Sequence, residues 1–244
     1  FQGFVFRNVA VVALVGNSKL IIIDEVQKIP NIGSVLKIIT DHIPSISVMA
    51  SGSASLDLAQ KAEVELVGRN INFTLYPLGI AELSNQYGKI ETRDNLEKWL
   101  IWGGYPEAVT QTSDSERQSY LQTLIGSYLY RDVLELVGVR KPKLIEDILR
   151  LLAFQIGKEV SISELGQNLS TTKETVARYL DLLEKSFVIF NVRGFSRNLR
   201  KEIYKNSRYY FWDNGIRNAL INNFNSLLLR NDTGQLWENF LAIE

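Results

Sequence analysis

Two adjacent acids, Asp24 and Glu25, follow directly on four aliphatic residues, Leu20-Ile-Ile-Ile23. Such a continuously apolar, β-branched run predicts a strand buried on both faces of a parallel sheet. In open α/β sheets, ligands bind where strands end at their carboxyl side, so an aspartate just past the strand points into that crevice. There it can hold Mg²⁺, directly or through water, beside the β- and γ-phosphates of a nucleotide. A following glutamate can polarise the attacking water. The pair thus has the composition that hydrolysis of a nucleoside triphosphate needs. The bland alternative is that the two acids only solubilise the strand's exit into a loop. The next apolar run, Ile46 to Ala50, leads into Ser51-Gly52-Ser53, small polar residues able to sense a γ-phosphate from the neighbouring strand.

The elements that must position these residues alternate. Residues 34–42 read as a helix with Val35, Leu36, Ile38 and Ile39 inward, and Asn72 to Tyr76 alternates as a third strand should. Strand, helix, strand implies βαβ units and a parallel sheet over residues 1–80. From 81 to 155 helix dominates. Leu96 to Trp102 stops at Gly103-Gly104-Tyr-Pro106, Ser119 to Leu136 reads as one long helix, and Lys143 to Gln155 as another with Gly157 at its C-cap. Over 156–215, two capping boxes, Ser161-Ile-Ser-Glu164 and Thr171-Thr-Lys-Glu174, open a short helix and a longer one ending near Ser186. This helix-turn-helix is followed by strand-like 187–192 and 209–212, which together make a winged helix. Residues 216–244 read as the start of a further domain, with an apolar stripe of Leu236, Phe240 and Leu241 that lacks support from downstream. The chain opens at Phe1 without methionine, so a fragment is expected.

Composition excludes several classes. There is no cysteine, which rules out disulfides, thiolate catalysis and zinc-thiolate sites. His42 is the only histidine and sits where a helix should end, so no multi-histidine metal site can form. Lys plus Arg equals Asp plus Glu at 27 each, so any polyanion-binding surface must be local. The longest apolar run, Val9 to Val15, is far short of the ~20 residues a bilayer requires. No membrane segment and a cytoplasmic location are expected.

A family resemblance adds to this. Leu20 to Pro30 resembles the magnesium-side acidic strand, the Walker B segment, of bacterial and archaeal AAA-type P-loop ATPases that carry a C-terminal domain of unknown function. In the same order come Gly52-Ser53, Leu66-Val-Gly-Arg69, Pro77-Leu78, Trp102 to Pro106, Tyr130-Arg-Asp132, Tyr210-Phe-Trp-Asp213 and Gly234 to Asn239. The resemblance implies ATP and Mg²⁺ as cofactors, Asp24 as the magnesium-side acid and Glu25 as catalytic base. It makes Ser53 sensor-like and Arg69 a candidate for γ-phosphate contact, in cis or from a second subunit of a homo-oligomer. A structural ion pair is the plainer role for Arg69. The family's phosphate loop, Gly-x-x-x-x-Gly-Lys-Ser/Thr, has no match here; Val15-Gly-Asn-Ser-Lys19 has the wrong spacing and leads into a strand. In the family, the segment opening at Trp237-Glu238-Asn239 begins a fold similar to restriction endonucleases.

The expected architecture is therefore a partial P-loop NTPase-like parallel sheet, then a mostly helical segment, then a winged helix. Hydrolysis would be coupled to movement of the winged helix. In a DNA-binding alternative, Lys173 and Arg178 lie on the second helix of the pair. Arg193, Arg197, Arg200 and Lys201 lie on the basic wing, where residues 193–208 hold six basic residues against one acid. A third reading is a protein-interaction module built on a degenerate NTPase fold.

Overall fold

The computed structural model describes residues 18–26, 29–52, 66, 68–129, 142–193 and 207–244. The chain divides into two compact units, 1–74 and 75–244.

In the first unit, β1 (Leu20–Ile23) and β2 (Ser47–Ala50) pair in parallel with Ile21 opposite Val48 and Ile23 opposite Ala50. Helix α1 (Ile32–His42) connects them. Its residues Ile32, Leu36 and Ile39 recur at helical spacing and are buried. Ile23, Val35 and Val48 pack against a cluster of Val26, Ile32, Leu36 and Leu66. The other face of the strand pair differs from expectation. Leu20, Ile22 and Met49 are 50%, 66% and 58% exposed, so β1 is buried on one face rather than two. The reason is that successive side chains alternate faces, and no other element among the described residues covers that second face. The expected third strand is likewise overturned. Residues 71–76 take no place in a ladder, and Ile71, Phe73 and Leu75 are exposed. Alternation favours an extended backbone; pairing additionally needs a neighbour. His42 ends α1, exposed, with its ring Nδ1 3.2 Å from the Ile38 carbonyl.

The second unit begins with α2 (Ile80–Tyr87), α3 (Lys89–Asp94), α4 (Leu96–Trp102), α5 (Pro106–Thr110) and α6 (Asp114–Thr123). Of the long helix expected at 119–136, residues 119–129 are helical, α6 running on into a π-helical segment, Leu124–Leu129, and the rest lies outside the described residues. Helix α7 (Pro142–Phe154) turns its Leu144, Ile145, Ile148, Leu149 and Leu152 inward. Next come β3 (Glu159–Val160), α8 (Ile162–Asn168), α9 (Lys173–Lys185), β4 (Ile189–Arg193) and β5 (Ser207–Phe211). The strands form an antiparallel sheet in the order β3-β5-β4. Ser161 caps α8 by accepting the Glu164 N–H, as its box predicts, whereas α9 is capped by Thr172, not Thr171.

Helices α10 (Asn214–Leu220) and α11 (Thr233–Ile243) complete the unit around a buried polar hub. Asp213 is 4% exposed; its carboxylate accepts N–H bonds from Ile216 (2.8 Å) and Gly104 (2.7 Å). Gly103 has φ +74, and a Cβ there would stand 2.2 Å from that carboxylate, so only glycine fits. Arg217 and Arg230 share Asp232, and Asn218 donates to the Ile101 carbonyl at 2.8 Å. Asn239 of α11 both accepts from Phe211 N–H (2.8 Å) and donates to its carbonyl (3.0 Å), acting as a side-chain strand partner. Leu236 is fully buried and Phe240 packs against Leu83, Trp99 and Val109 of this unit, whereas Leu241, the third residue of the stripe, is exposed.

Candidate functional site

The register of the parallel pair places the candidate chemistry. Ile23 lies opposite Ala50, so the residues that follow, Asp24 and Ser51, leave the two strands side by side. Ser51 is clamped into that position. Its N–H donates to Ile23 O at 2.8 Å, and its carbonyl accepts from Val26 N–H at 3.0 Å. The Ser51 hydroxyl in turn donates a short hydrogen bond to Asp24 Oδ1. The same oxygen accepts the Glu25 N–H at 3.0 Å. Asp24 therefore keeps one oxygen engaged by the protein and its aspect fixed.

Glu25 turns the chain sharply. Its φ of 52 lies in the left-handed region, where a residue with a Cβ is held at a cost of about 1–2 kcal/mol. The buried Val26 and its bond to Ser51 hold the turn in place. The outcome is two acids displayed together at the carboxyl end of a parallel strand.

The remaining sequence-predicted residues fall into three groups. Arg69 donates from Nε to Asp41 of α1 at 2.6 Å, the plain ion pair, so a phosphate contact would require that pair to open. Lys173 and Arg178 are exposed on α9, Lys173 3.8 Å from Glu174 and Arg178 over the Tyr179 ring. Arg193 is exposed at the end of β4. Ser53, Arg197, Arg200, Lys201 and the Tyr130-Arg-Asp132 motif lie outside the described residues.

Among the described residues, Ser51 is a hydroxyl that orients the acid. The signal was the register itself: a polar residue one past the second strand must stand beside the residue one past the first. The acids also do not make a self-contained metal cage. Among the described residues no group of three or more His, Cys, Asp or Glu converges. Two carboxylates suit a Mg²⁺ ion that keeps several waters and takes other oxygens from a phosphate.

A family profile described as a domain of unknown function (DUF8612) matches residues 93–227, more than half of the 244 residues. The chain belongs to the DUF8612 family. A second profile, described as an AAA domain, matches residues 4–84, the part that carries β1, β2 and the Asp24–Ser51 pair. The DUF8612 match covers helices α4 to α10 and the three-stranded sheet. Relatives agree with this breadth. An uncharacterized protein of Mycobacterium tuberculosis is 29% identical over 233 residues, 94% of this chain and 51% of its own length. An uncharacterized protein of Methanocaldococcus jannaschii is 24% identical over 244 residues, 93% of this chain and 53% of its own length. A third, from Haemophilus influenzae, is 23% identical over 209 residues, with 82% and 52% covered. The chain thus spans about half the length of the relatives it matches. No helix among the described residues is long and apolar enough to cross a membrane.

Proposed function

We propose that this chain carries the hydrolytic half of an ATP site, with Asp24 and Glu25 as its working acids. The observation that carries the reading is the fixed Asp24–Ser51 pair at the carboxyl end of a parallel strand, inside the AAA-matching residues. In this role the strand pair is the Walker B strand and its sensor neighbour. Asp24 would hold Mg²⁺, directly or through water, and Glu25 would accept the proton of the attacking water. A bound Mg²⁺ neutralises charge between the β- and γ-phosphates. Ser51 keeps Asp24 oriented, and Ser53 and Arg69 are further γ-phosphate candidates. The DUF8612 part, with its helix pair and three-stranded sheet forming a winged helix, is the element whose movement responds to the nucleotide.

The test is Mg-ATP turnover by the longest natural protein containing this sequence. Glu25→Gln is expected to retain nucleotide binding and to reduce kcat by at least a hundredfold. Unchanged turnover in that variant would remove Glu25 from the reaction.

A second reading is supported by a separate observation, the exposed cations Lys173 and Arg178 on the second helix of the pair. In it, that helix contacts duplex DNA and the neighbouring basic residues contact phosphates. Duplex binding that weakens steeply with salt and with Lys173→Ala and Arg178→Ala supports it. A protein-interaction role without catalysis predicts neither turnover nor DNA binding.

A further inference from the structure

Where the chain enters the second unit, its surroundings change within a few residues. Residues 70–75 take no place in a helix or ladder, and Ile71, Phe73 and Leu75 are 79%, 84% and 97% exposed. From Tyr76 onward the chain is anchored to three remote parts of the sequence in turn. The Tyr76 ring lies on Trp212 with centroids 4.5 Å apart. The Leu78 N–H donates to Gly104 O at 2.8 Å, and Gly104 is itself held by the Asp213 carboxylate. A Cβ at Gly104 would stand 2.3 Å from Leu78 O, so the two backbones lie in direct contact. The Ile80 N–H donates to both oxygens of the Glu244 carboxylate, at 3.0 and 2.9 Å, across 164 residues of sequence.

This last contact answers a need of α2. The first N–H groups of a helix have no intrahelical partner. Gly79 stands at the N-cap position and has no side chain to accept one of them. Glu82 takes the Gly79 N–H at 3.1 Å. Glu244 takes the Ile80 N–H, and its negative charge sits at the positive end of the helix dipole. Glu244 follows α11 directly, and its own N–H donates to Phe240 O at 3.2 Å, continuing the helical pattern. One turn earlier, Phe240 packs against the cluster of Leu83, Trp99 and Val109. The end of α11 thus meets the start of α2 through one apolar contact and one charged one.

We propose that Glu244 is a latch joining the chain that enters this unit, Tyr76 to Ile80, to the end of α11, so that a displacement at either is felt at the other. The latch deepens the proposed ATPase reading by naming a route for nucleotide-driven movement; the route rests on that reading, and the latch itself does not. Coupling of this kind is reciprocal: what loosens the start of α2 must loosen the end of α11, and the reverse. A carboxylate that only stabilised its own helix would lack that property.

The test is amide hydrogen exchange, resolved by peptide fragment, on the longest natural protein containing this sequence. Glu244→Ala should raise exchange in residues 80–84 about tenfold, through loss of a charge-assisted bond. Glu244→Gln keeps an acceptor oxygen and should recover most of that loss. Ile80→Pro removes the donor N–H, while proline is well accepted at the first helical position. It changes no residue of α11, yet exchange at 240–243 should rise by a similar factor. Ile80→Ala keeps the N–H and should leave 240–243 nearly unchanged. The double variant Glu244→Ala with Ile80→Pro should go no further than either alone, and α7 should not respond in any of them. Three results would overturn the latch: an Ile80→Pro effect at 240–243 no larger than that of Ile80→Ala, additive effects in the double variant, or faster exchange throughout α7, which would mean a general loss of stability. Mg-ATP should alter exchange at 240–243 in the parent and not in Glu244→Ala. An effect that survives Glu244→Ala would overturn the route through the latch. No effect of Mg-ATP in the parent, with the Ile80→Pro result intact, would count against the ATPase reading and leave the latch standing.

Discussion

The hub around Asp213 allows one substitution to be predicted against the grain of helix propensity. Gly215 is the second residue of α10, and its backbone does not require glycine, since its φ is not positive. By propensity alone, Gly215→Ala should stabilise the helix by about 1 kcal/mol. The surroundings forbid it. A Cβ at 215 would stand 2.1 Å from the Trp102 carbonyl oxygen, 2.6 Å from its carbon and 2.9 Å from Asp213 Oδ1. Ordinary contact is about 3.4–4 Å, so the neighbours would have to withdraw by more than an ångström. They are not free to do so. Trp102 ends α4, where the Gly103 N–H donates to Trp99 O at 3.0 Å. The adjoining Gly104 is held by Asp213 and by the Leu78 N–H. Overpacking of this kind costs about 1–3 kcal/mol, and loss of an Asp213 bond to a backbone N–H adds roughly 1–2 kcal/mol. After subtracting the propensity gain, Gly215→Ala should destabilise by about 1–4 kcal/mol.

Gly234→Ala is the matched control. Gly234 is also the second residue of its helix, α11, and a Cβ there meets nothing within 4 Å. It should stabilise by about 0.4–1 kcal/mol. All four tryptophans, 99, 102, 212 and 237, lie in the 75–244 unit, so tryptophan fluorescence during heating reports that unit. For a unit of this size, Gly215→Ala should lower Tm by about 2–15 °C and Gly234→Ala should raise it by a few degrees. Equal shifts of the same sign would refute the packing argument and leave propensity as the ruling effect.

In the longest natural protein, Ser51→Ala should lower kcat for Mg-ATP about tenfold, because Asp24 loses the hydroxyl that orients it, and Ser51→Thr should recover most of the loss. The hub also predicts an opposed pH response, read by denaturant unfolding between pH 2 and 7. Burial pushes the Asp213 carboxyl up to about 6 despite its three backbone N–H partners, so its protonated form is favoured in the folded state. Its contribution is present below 3.8 and lost as pH rises through about 6, which Asp213→Asn should abolish. Burial also pushes Asp232 upward, but Arg230 and Arg217 outweigh it and hold the carboxyl at about 2. Its contribution is present above 3.8 and lost as pH falls toward about 2, a loss absent in Asp232→Asn.

Much of the local structure was legible because periodicity and caps are local signals. Leu96 to Trp102 was bounded correctly by its glycine stop, and Ser161 announced α8. The failures share a cause in partners remote along the chain. Residues 71–76 alternate as a strand does, yet alternation cannot supply a neighbour. The apolar run at Leu20–Ile23 predicted cover on two faces, and only α1 provides it among the described residues. Gly103-Gly104 read as punctuation, but their stronger constraint is the Asp213 carboxylate more than a hundred residues away. Buried Arg217, Asn218 and Asn239 carry polar side chains that no hydropathy pattern would place inside. Each is satisfied by partners on other elements, which is the condition for burying them.

On the proposed reading, the Asp24–Ser51 pair belongs to the hydrolytic half of a nucleotide site. Two carboxylates beside a triphosphate repel it unless a cation stands between them. Affinity for the phosphates must come from N–H donors and cations. The Gly-x-x-x-x-Gly-Lys-Ser/Thr loop that usually supplies them has no match in this sequence, and Arg69 is engaged by Asp41. Binding and turnover are therefore separable here. On that reading, removing the Glu25 charge would take away repulsion and the base together. Glu25→Gln in the longest natural protein should then hold Mg-ATP at least as tightly as the parent while hydrolysing it far more slowly. If affinity fell with turnover, Glu25 would be holding the nucleotide in place, and the base would have to be sought elsewhere.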